Sequence, residues 1–248
     1  MKRLTWLILL GILVVSVPLA ACSGNSTSAA KITIATDATW PPFEYVNEQT
    51  KQIEGFDIDV MNAIAAKENL NIEFKNVAWD PLLAGMAQGT YDVAISSITI
   101  TEDRKKDMLF SDPYFAAGQL VVVRNENTTI LGKDTLTGNV GVQLGTTGDL
   151  EVQKIKTATS KPYDDIGLAF QDLMNGQVNA VVCDNPVALL YVGKNPDKLK
   201  TAGNVFTDEN YDIAVAKGKS DLLTKINDGL KAIKAEGFID KTAKIWLK

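Results

Sequence analysis

The chain of 248 residues contains no histidine. That absence removes the commonest metal ligand and the commonest general base, so zinc hydrolysis and a Ser-His-Asp triad have little to stand on. An enzymatic reading must rest on carboxylates or lysines. Cysteine is scarce, with only Cys22 and Cys183. An excess of base is also missing, since 25 Lys and Arg face 30 Asp and Glu, which argues against nucleic acid or anionic lipid as the main partner. The apolar run Trp6 to Val17 is short for a stable membrane span.

Lys2 and Arg3, that apolar run, and the small residues ending in Leu19-Ala20-Ala21-Cys22 have the three-part form of a secretory signal. The ending is similar to a lipobox, in which cleavage leaves a lipid-bearing cysteine, here Cys22, as the mature N-terminus. An ordinary signal with a chance cysteine is the alternative. Residues 1–22 are then signal and lipidation site, and 23–30 (SGNSTSAA) a flexible tether. With Cys22 acylated, Cys183 has no partner within the chain and reads as a small buried residue.

From Lys31 the pattern is βαβαβ with short loops, hence a mostly parallel sheet. The strands are Lys31 to Thr36, Ile72 to Val77 and Asp92 to Ile95, and the helices run from about Asp57 to Lys67 and Pro81 to Gln88. The plan recurs after Gly118, with strands Gln119 to Arg124, Asn139 to Gln143 and Thr157 to Tyr163, and helices near Asp149 to Lys156 and Ile166 to Asn175. Strand Asp212 to Ala216 and helix Leu222 to Glu236 suit the first lobe again. The expected organisation is two α/β lobes, 31–113 with 212–248 and 119–206, joined by hinges at 114–118 and 207–211 that allow closure on a ligand. An interlobe cleft is the usual place for a small-molecule site.

Polar groups collect at the expected carboxyl ends of strands: Asp37, Ser97 with Thr99, the Gln143 to Thr147 loop including Thr146, and Asp184. Thr101 with Glu102 and Asp103 reads as a helix N-cap, which leaves Ser96 to Thr99 as a strand-to-helix loop. Arg104 is the candidate for a bidentate carboxylate clamp, and a plain surface arginine is the alternative. Loop amides near Thr99 and Thr147 could add charge-assisted hydrogen bonds of about 1.5 to 3 kcal/mol each. Asp184 would meet an ammonium, or else cap the helix that begins at Asn185-Pro186. Trp40 and Trp79 read as loop tryptophans that cover a side chain, or as core. Ammonium, carboxylate and stacked side chain together describe a free α-amino acid.

With these residues in place, the chain from Lys31 to Lys248 resembles the extracellular solute-binding proteins of family 3. The resemblance is carried by Ala35-Thr36-Asp37, Pro42-Phe43-Glu44, Gly55-Phe56-Asp57-Ile58-Asp59, Ser97-Ile98-Thr99-Ile100-Thr101, Arg104, Phe110-Ser111-Asp112-Pro113-Tyr114, Gly145-Thr146-Thr147 and Asp184. It implies an α/β, two-lobed, periplasmic-binding-protein-like fold (type II, Venus flytrap) with two hinge crossovers. It further implies an exported, monomeric amino-acid receptor that needs no cofactor. Such a receptor would be held by its N-terminal lipid at the outer face of a bacterial plasma membrane, or lie in the periplasm, and would serve an ABC permease. Carried over, Arg104 with Thr99 and Thr147 would hold the α-carboxylate, Asp184 and the Ser97 carbonyl the α-ammonium, Trp40 and Trp79 the side chain, and Asp37 its far end. Where glutamine receptors of this kind carry a lysine, this chain has Gln143, and Asp37, Glu44 and Asp57 add negative charge if they face the cleft, although Asp57 also reads as a helix N-cap. Arginine, then lysine, is therefore expected ahead of glutamine. The competing classes are a cyclohexadienyl dehydratase-like enzyme on the same scaffold and a sensor that reports to a membrane kinase.

Overall fold

The computed structural model describes residues 31–247, so the signal, the tether and Cys22 lie outside the described residues. Two five-stranded sheets carry the fold. In the first, Ile32–Thr36 pairs in parallel with Ile72–Asn76 on one side and with Val93–Ala94 on the other. Ala214–Ala216 then adds antiparallel to Val93–Ala94, and Met108–Phe110 antiparallel to that. The second sheet repeats the order: Gly138–Gln143 lies between Ala158–Tyr163 and Ala180–Asp184, both parallel, and Gln119–Arg124 and Leu199–Ala202 follow antiparallel. Each sheet is thus mixed rather than mostly parallel. In both lobes the strand that enters from a crossing joins beside the third parallel strand and runs against it.

The two crossings meet. Phe115–Ala117 and Glu209–Tyr211 pair as a two-stranded antiparallel ribbon between the sheets. Around it Phe43, Phe56, Phe115 and Tyr211 form an aromatic cluster, with Phe43 edge-on to Phe115 at 5.1 Å and to Tyr211 at 5.2 Å. Edge-to-face packing adds about 0.5–1.5 kcal/mol per pair to the burial of these rings, so the ribbon is anchored where the lobes join.

The helices follow the apolar spacing of the sequence. Phe56–Glu68 buries Phe56, Val60, Met61 and Ile64 and packs against Ser220–Ala235, whose inner face is Ile226, Leu230 and Ile233. Lys67 lies at the surface and pairs with Glu236 at 2.6 Å. The expected helix after Thr101 shrinks to a single 3-10 turn, Arg104–Lys106, although the Thr101 hydroxyl does accept the Arg104 N–H at 3.1 Å. Short strands Glu44–Val46 and Ile53–Glu54 and the helix Phe238–Trp246 carried no readable expectation.

Candidate functional site

Where the lobes face each other, Asp37, Trp40, Trp79, Ser96, Ser97, Thr99, Arg104, Gln143, Thr146, Thr147 and Asp184 line one narrow cavity. Every candidate read from the sequence is present except Glu44, and Ser96 joins them. Asp37 follows Ile32–Thr36, Ser96 to Thr99 follow Val93–Ala94, Gln143 with Thr146 and Thr147 stand at and beyond the end of Gly138–Gln143, and Asp184 closes Ala180–Asp184. This is the carboxyl-end placement that parallel strands impose on their loops.

Arg104 spans the cleft. Its guanidinium donates to the Thr99 carbonyl at 2.6 Å and, across the lobes, to the Gly145 carbonyl at 3.2 Å, and it lies 5.1 Å from the Trp79 ring centre. Gly145 presents that carbonyl from a backbone φ of +69°, a conformation that favours glycine. Loss of water pushes the guanidinium pKa down to about 10, against the upward pull of Asp184 and Glu209. The loop around Gly145 is held from behind: the Thr146 hydroxyl donates to the Gln143 carbonyl at 2.8 Å and caps the helix Thr147–Gln153 through the Asp149 N–H.

Asp184 occupies the N-cap position of helix Asn185–Lys194 but makes no capping bond. Its carboxylate instead accepts the Gln119 amide and the Tyr211 hydroxyl. Burial and the nearby Glu209 raise its pKa to about 7. Glu209 collects hydroxyls from Thr207, Thr147 and Thr99 at 2.7, 2.7 and 2.9 Å. The hydroxyls of Thr99 and Thr147 are therefore committed to Glu209, and what Thr147 retains for a ligand is its backbone N–H, at a helix start where such groups lack an intrahelical partner. At the opposite end Asp37 accepts the Thr39 hydroxyl and, across the lobes, the Gln143 amide, both at 2.9 Å, while burial raises its pKa.

The tryptophans depart from the expectation of loop residues. Trp40 ends the short strand Thr39–Trp40, Trp79 opens helix Trp79–Ala87, and both are buried. Asp57 is no cap either, since Gly55 holds the N-cap position without a side-chain bond and the Asp57 carboxyl is interior. Glu44 is fully buried behind the cavity, where Ser96 donates to it at 3.0 Å. Sequence reading also missed Gln119, Glu209 and Tyr211. Gln119 stands opposite Asp184 in the register of the second sheet, while Glu209 and Tyr211 are polar residues on a crossing strand that the ribbon pairing brings to Asp184.

Donors and carboxylates from two lobes converge on one partly aromatic cavity, the arrangement of a two-lobed small-solute-binding protein. The chain belongs to the bacterial extracellular solute-binding proteins, family 3, whose family model matches residues 32–248. Curated relatives are named as histidine-, cystine-, arginine- and glutamine-binding proteins. A probable histidine-binding protein of Neisseria gonorrhoeae is 37% identical over 238 residues, covering 90% of this chain and 88% of its own. The ABC transporter arginine-binding protein 1 of Escherichia coli is 33% identical over 243 residues, covering 94% and 98%. Among solved structures, an ancestral arginine-binding protein bound to arginine superposes with a TM-score of 0.83 at 43% identity, covering 88% of this chain and 98% of that one. The arginine- and glutamine-binding relatives are named as ABC transporter proteins, and the family as extracellular solute-binding proteins.

Proposed function

We propose that this chain captures a free amino acid with a cationic side chain, arginine ahead of lysine, and presents it to an ABC permease. The observation that carries the reading is the charge balance of the cavity. Arg104 is the cation among its lining residues, whereas Asp37 and Asp184 line it from opposite ends and Glu209 lies next to Asp184. Buried carboxylates without paired cations are costly, and a ligand bearing two positive groups and one carboxylate supplies a cation to each of Asp37 and Asp184 and an anion to Arg104. In this reading Arg104 takes the α-carboxylate, Asp184 the α-ammonium, and Asp37 the far end of a side chain that lies against Trp40 and Trp79. The Ser97 carbonyl joins Asp184 at the α-ammonium.

The antiparallel ribbon of residues 115–117 and 209–211 acts as the hinge, between a first lobe of 31–113 and 212–248 and a second of 119–206. Because Asp37–Gln143 and Arg104–Gly145 bond across the cleft, closure is a state that ligand selects by binding it more tightly than the open form. Only the closed form presents both lobe faces to a permease together. Cys22 would anchor the exported chain by lipid, and the receptor works as a monomer without cofactor.

Calorimetric titration of residues 23–248, stripped of carried-over ligand by partial unfolding and dialysis, tests the reading against arginine, lysine, histidine and glutamine. Arginine tightest supports it. Glutamine tightest keeps the receptor and overturns the cationic pocket, and no binding directs attention to turnover of prephenate or arogenate.

A further inference from the structure

Behind the cavity, Glu44 and Asp57 bring two fully buried carboxyl groups together. The backbone dictates the meeting. The Phe56 N–H donates to the Pro42 carbonyl at 3.1 Å and the Asp57 N–H to the Phe43 carbonyl at 3.0 Å. Gly55 permits this approach: its φ is +140°, and a Cβ there would stand 2.1 Å from the Phe43 carbonyl oxygen. The Glu44 Oε1 accepts the Ser96 hydroxyl at 3.0 Å. The Asp57 Oδ2 accepts the Ser97 N–H and the Tyr114 hydroxyl, each at 2.7 Å. The remaining oxygens, Glu44 Oε2 and Asp57 Oδ1, are buried without a hydrogen-bond partner, and the Asp57 charge acts directly on Glu44. Two carboxylates are acceptors only, so these two oxygens can satisfy each other only if a proton lies between the groups.

We propose that Glu44 and Asp57 hold one shared proton, Glu44 donating and Asp57 accepting, and that this buried pair positions the Ser96–Ser97 edge of the ligand cavity. The groups that act on the pair from the surrounding elements are Asp37, Ser96, Ser97 and Tyr114, with Tyr211 beyond Asp57, and none of these is a cation. Burial and the Asp57 charge hold the Glu44 carboxyl well above the usual carboxylate range, while burial raises Asp57 to about 6 against the downward pull of its Tyr114 and Ser97 donors. The consequence reaches the ligand through two short links. Ser96 passes from Glu44 to the Asp37 N–H, which its oxygen accepts at 2.9 Å. Ser97 is kept at a φ of +49°, which a serine adopts at a cost, by the bond from its N–H to Asp57. The positioning role rests on the ligand site proposed above, whereas the shared proton does not.

The test compares wild type, Glu44→Gln and Glu44→Ala by infrared spectroscopy, by thermal unfolding against pH and by arginine titration. At pH 8 the wild-type-minus-E44Q spectrum should contain the carbonyl stretch of a protonated carboxylic acid, and its absence overturns the shared proton. A carboxyl whose folded pKa is raised contributes stability that is present at low pH and lost as pH rises through the folded value. The E44Q variant, which cannot titrate there, should therefore lose less Tm between pH 5 and pH 9 than wild type, and an equal loss contradicts the proposal. A glutamine N–H replaces the proton as donor, so E44Q should keep arginine affinity within about threefold while Glu44→Ala loses about tenfold or more. Equal losses in the two variants overturn the positioning role. Failure of wild type to bind arginine faults the ligand assignment alone, since the spectrum and the unfolding profile still decide the proton.

Discussion

Asp184→Asn should weaken ligand binding and stabilise the empty protein, two effects of opposite sign from one substitution. In the closed cleft the Asp184 carboxylate has the Gln119 amide and the Tyr211 hydroxyl as neutral donors, and Glu209 as a neighbouring charge. Asparagine keeps the volume, and its amide can be met by the Gln119 Oε1, which has no partner. Removing the charge leaves a ligand ammonium buried without its counterion, which costs about 3–5 kcal/mol, or two to nearly four orders of magnitude in Kd. The ligand-free protein gains instead. A carboxylate raised from 3.8 to about 7 is favourable when protonated at low pH and loses that contribution as pH rises through about 7, an effect of about 4 kcal/mol at most. Opening of the lobes hydrates the group and reduces it. The variant should accordingly unfold at a higher temperature than wild type at pH 8, with a smaller gap at pH 5. Scanning calorimetry at both values and titration of arginine measure the two halves. Arginine affinity within a few-fold of wild type, or a Tm that falls together with affinity, would refute the placement of Asp184 as the ammonium partner.

Other outcomes follow from the same geometry. Wild-type arginine affinity should fall below pH 7 by up to about tenfold per pH unit, because binding must expel the proton that Asp184 holds there; a flat titration between pH 5 and 7 contradicts this. Arg104→Ala should abolish detectable binding, since the α-carboxylate loses its clamp at a cost of about 3–5 kcal/mol, and a Kd within a few-fold of wild type removes Arg104 from the site. Gln143→Lys should move preference from arginine toward glutamine: the new ammonium would stand where the Gln143 amide now meets Asp37 at 2.9 Å, cancelling the charge that attracts a cationic side chain. Unchanged selectivity would sink the charge argument.

Much of this was legible in the chain because it depends on strand ends. Once Ile32–Thr36, Val93–Ala94 and Gly138–Gln143 are recognised as parallel strands, their loops fall on one edge, and Asp37, Ser97, Thr99 and Gln143 arrive there together. Arg104 was legible through its chemistry, although the helix expected around it is only one turn. What sequence could not give was the direction of side chains where local rules compete with tertiary packing. Asp57 has the residue type and position of a cap, yet its carboxyl turns inward to Ser97 and Tyr114. Glu44 follows the Trp40-Pro41-Pro42 turn and seemed free to face the cleft, but the backbone bonds between Phe43 and Asp57 hold it behind the wall. Glu209 lies in the segment Thr207 to Tyr211, which reads as a hinge with no part in the site, and its pairing with Phe115–Ala117 turns it toward Asp184.

The most direct test is a crystal structure of residues 23–248 with arginine. The account predicts the α-carboxylate against the Arg104 guanidinium, the α-ammonium against Asp184 and the side-chain guanidinium directed toward Asp37 between Trp40 and Trp79. An arginine bound in the reverse orientation, with its α-carboxylate at the Asp37 end, or bound outside this cavity, would contradict it.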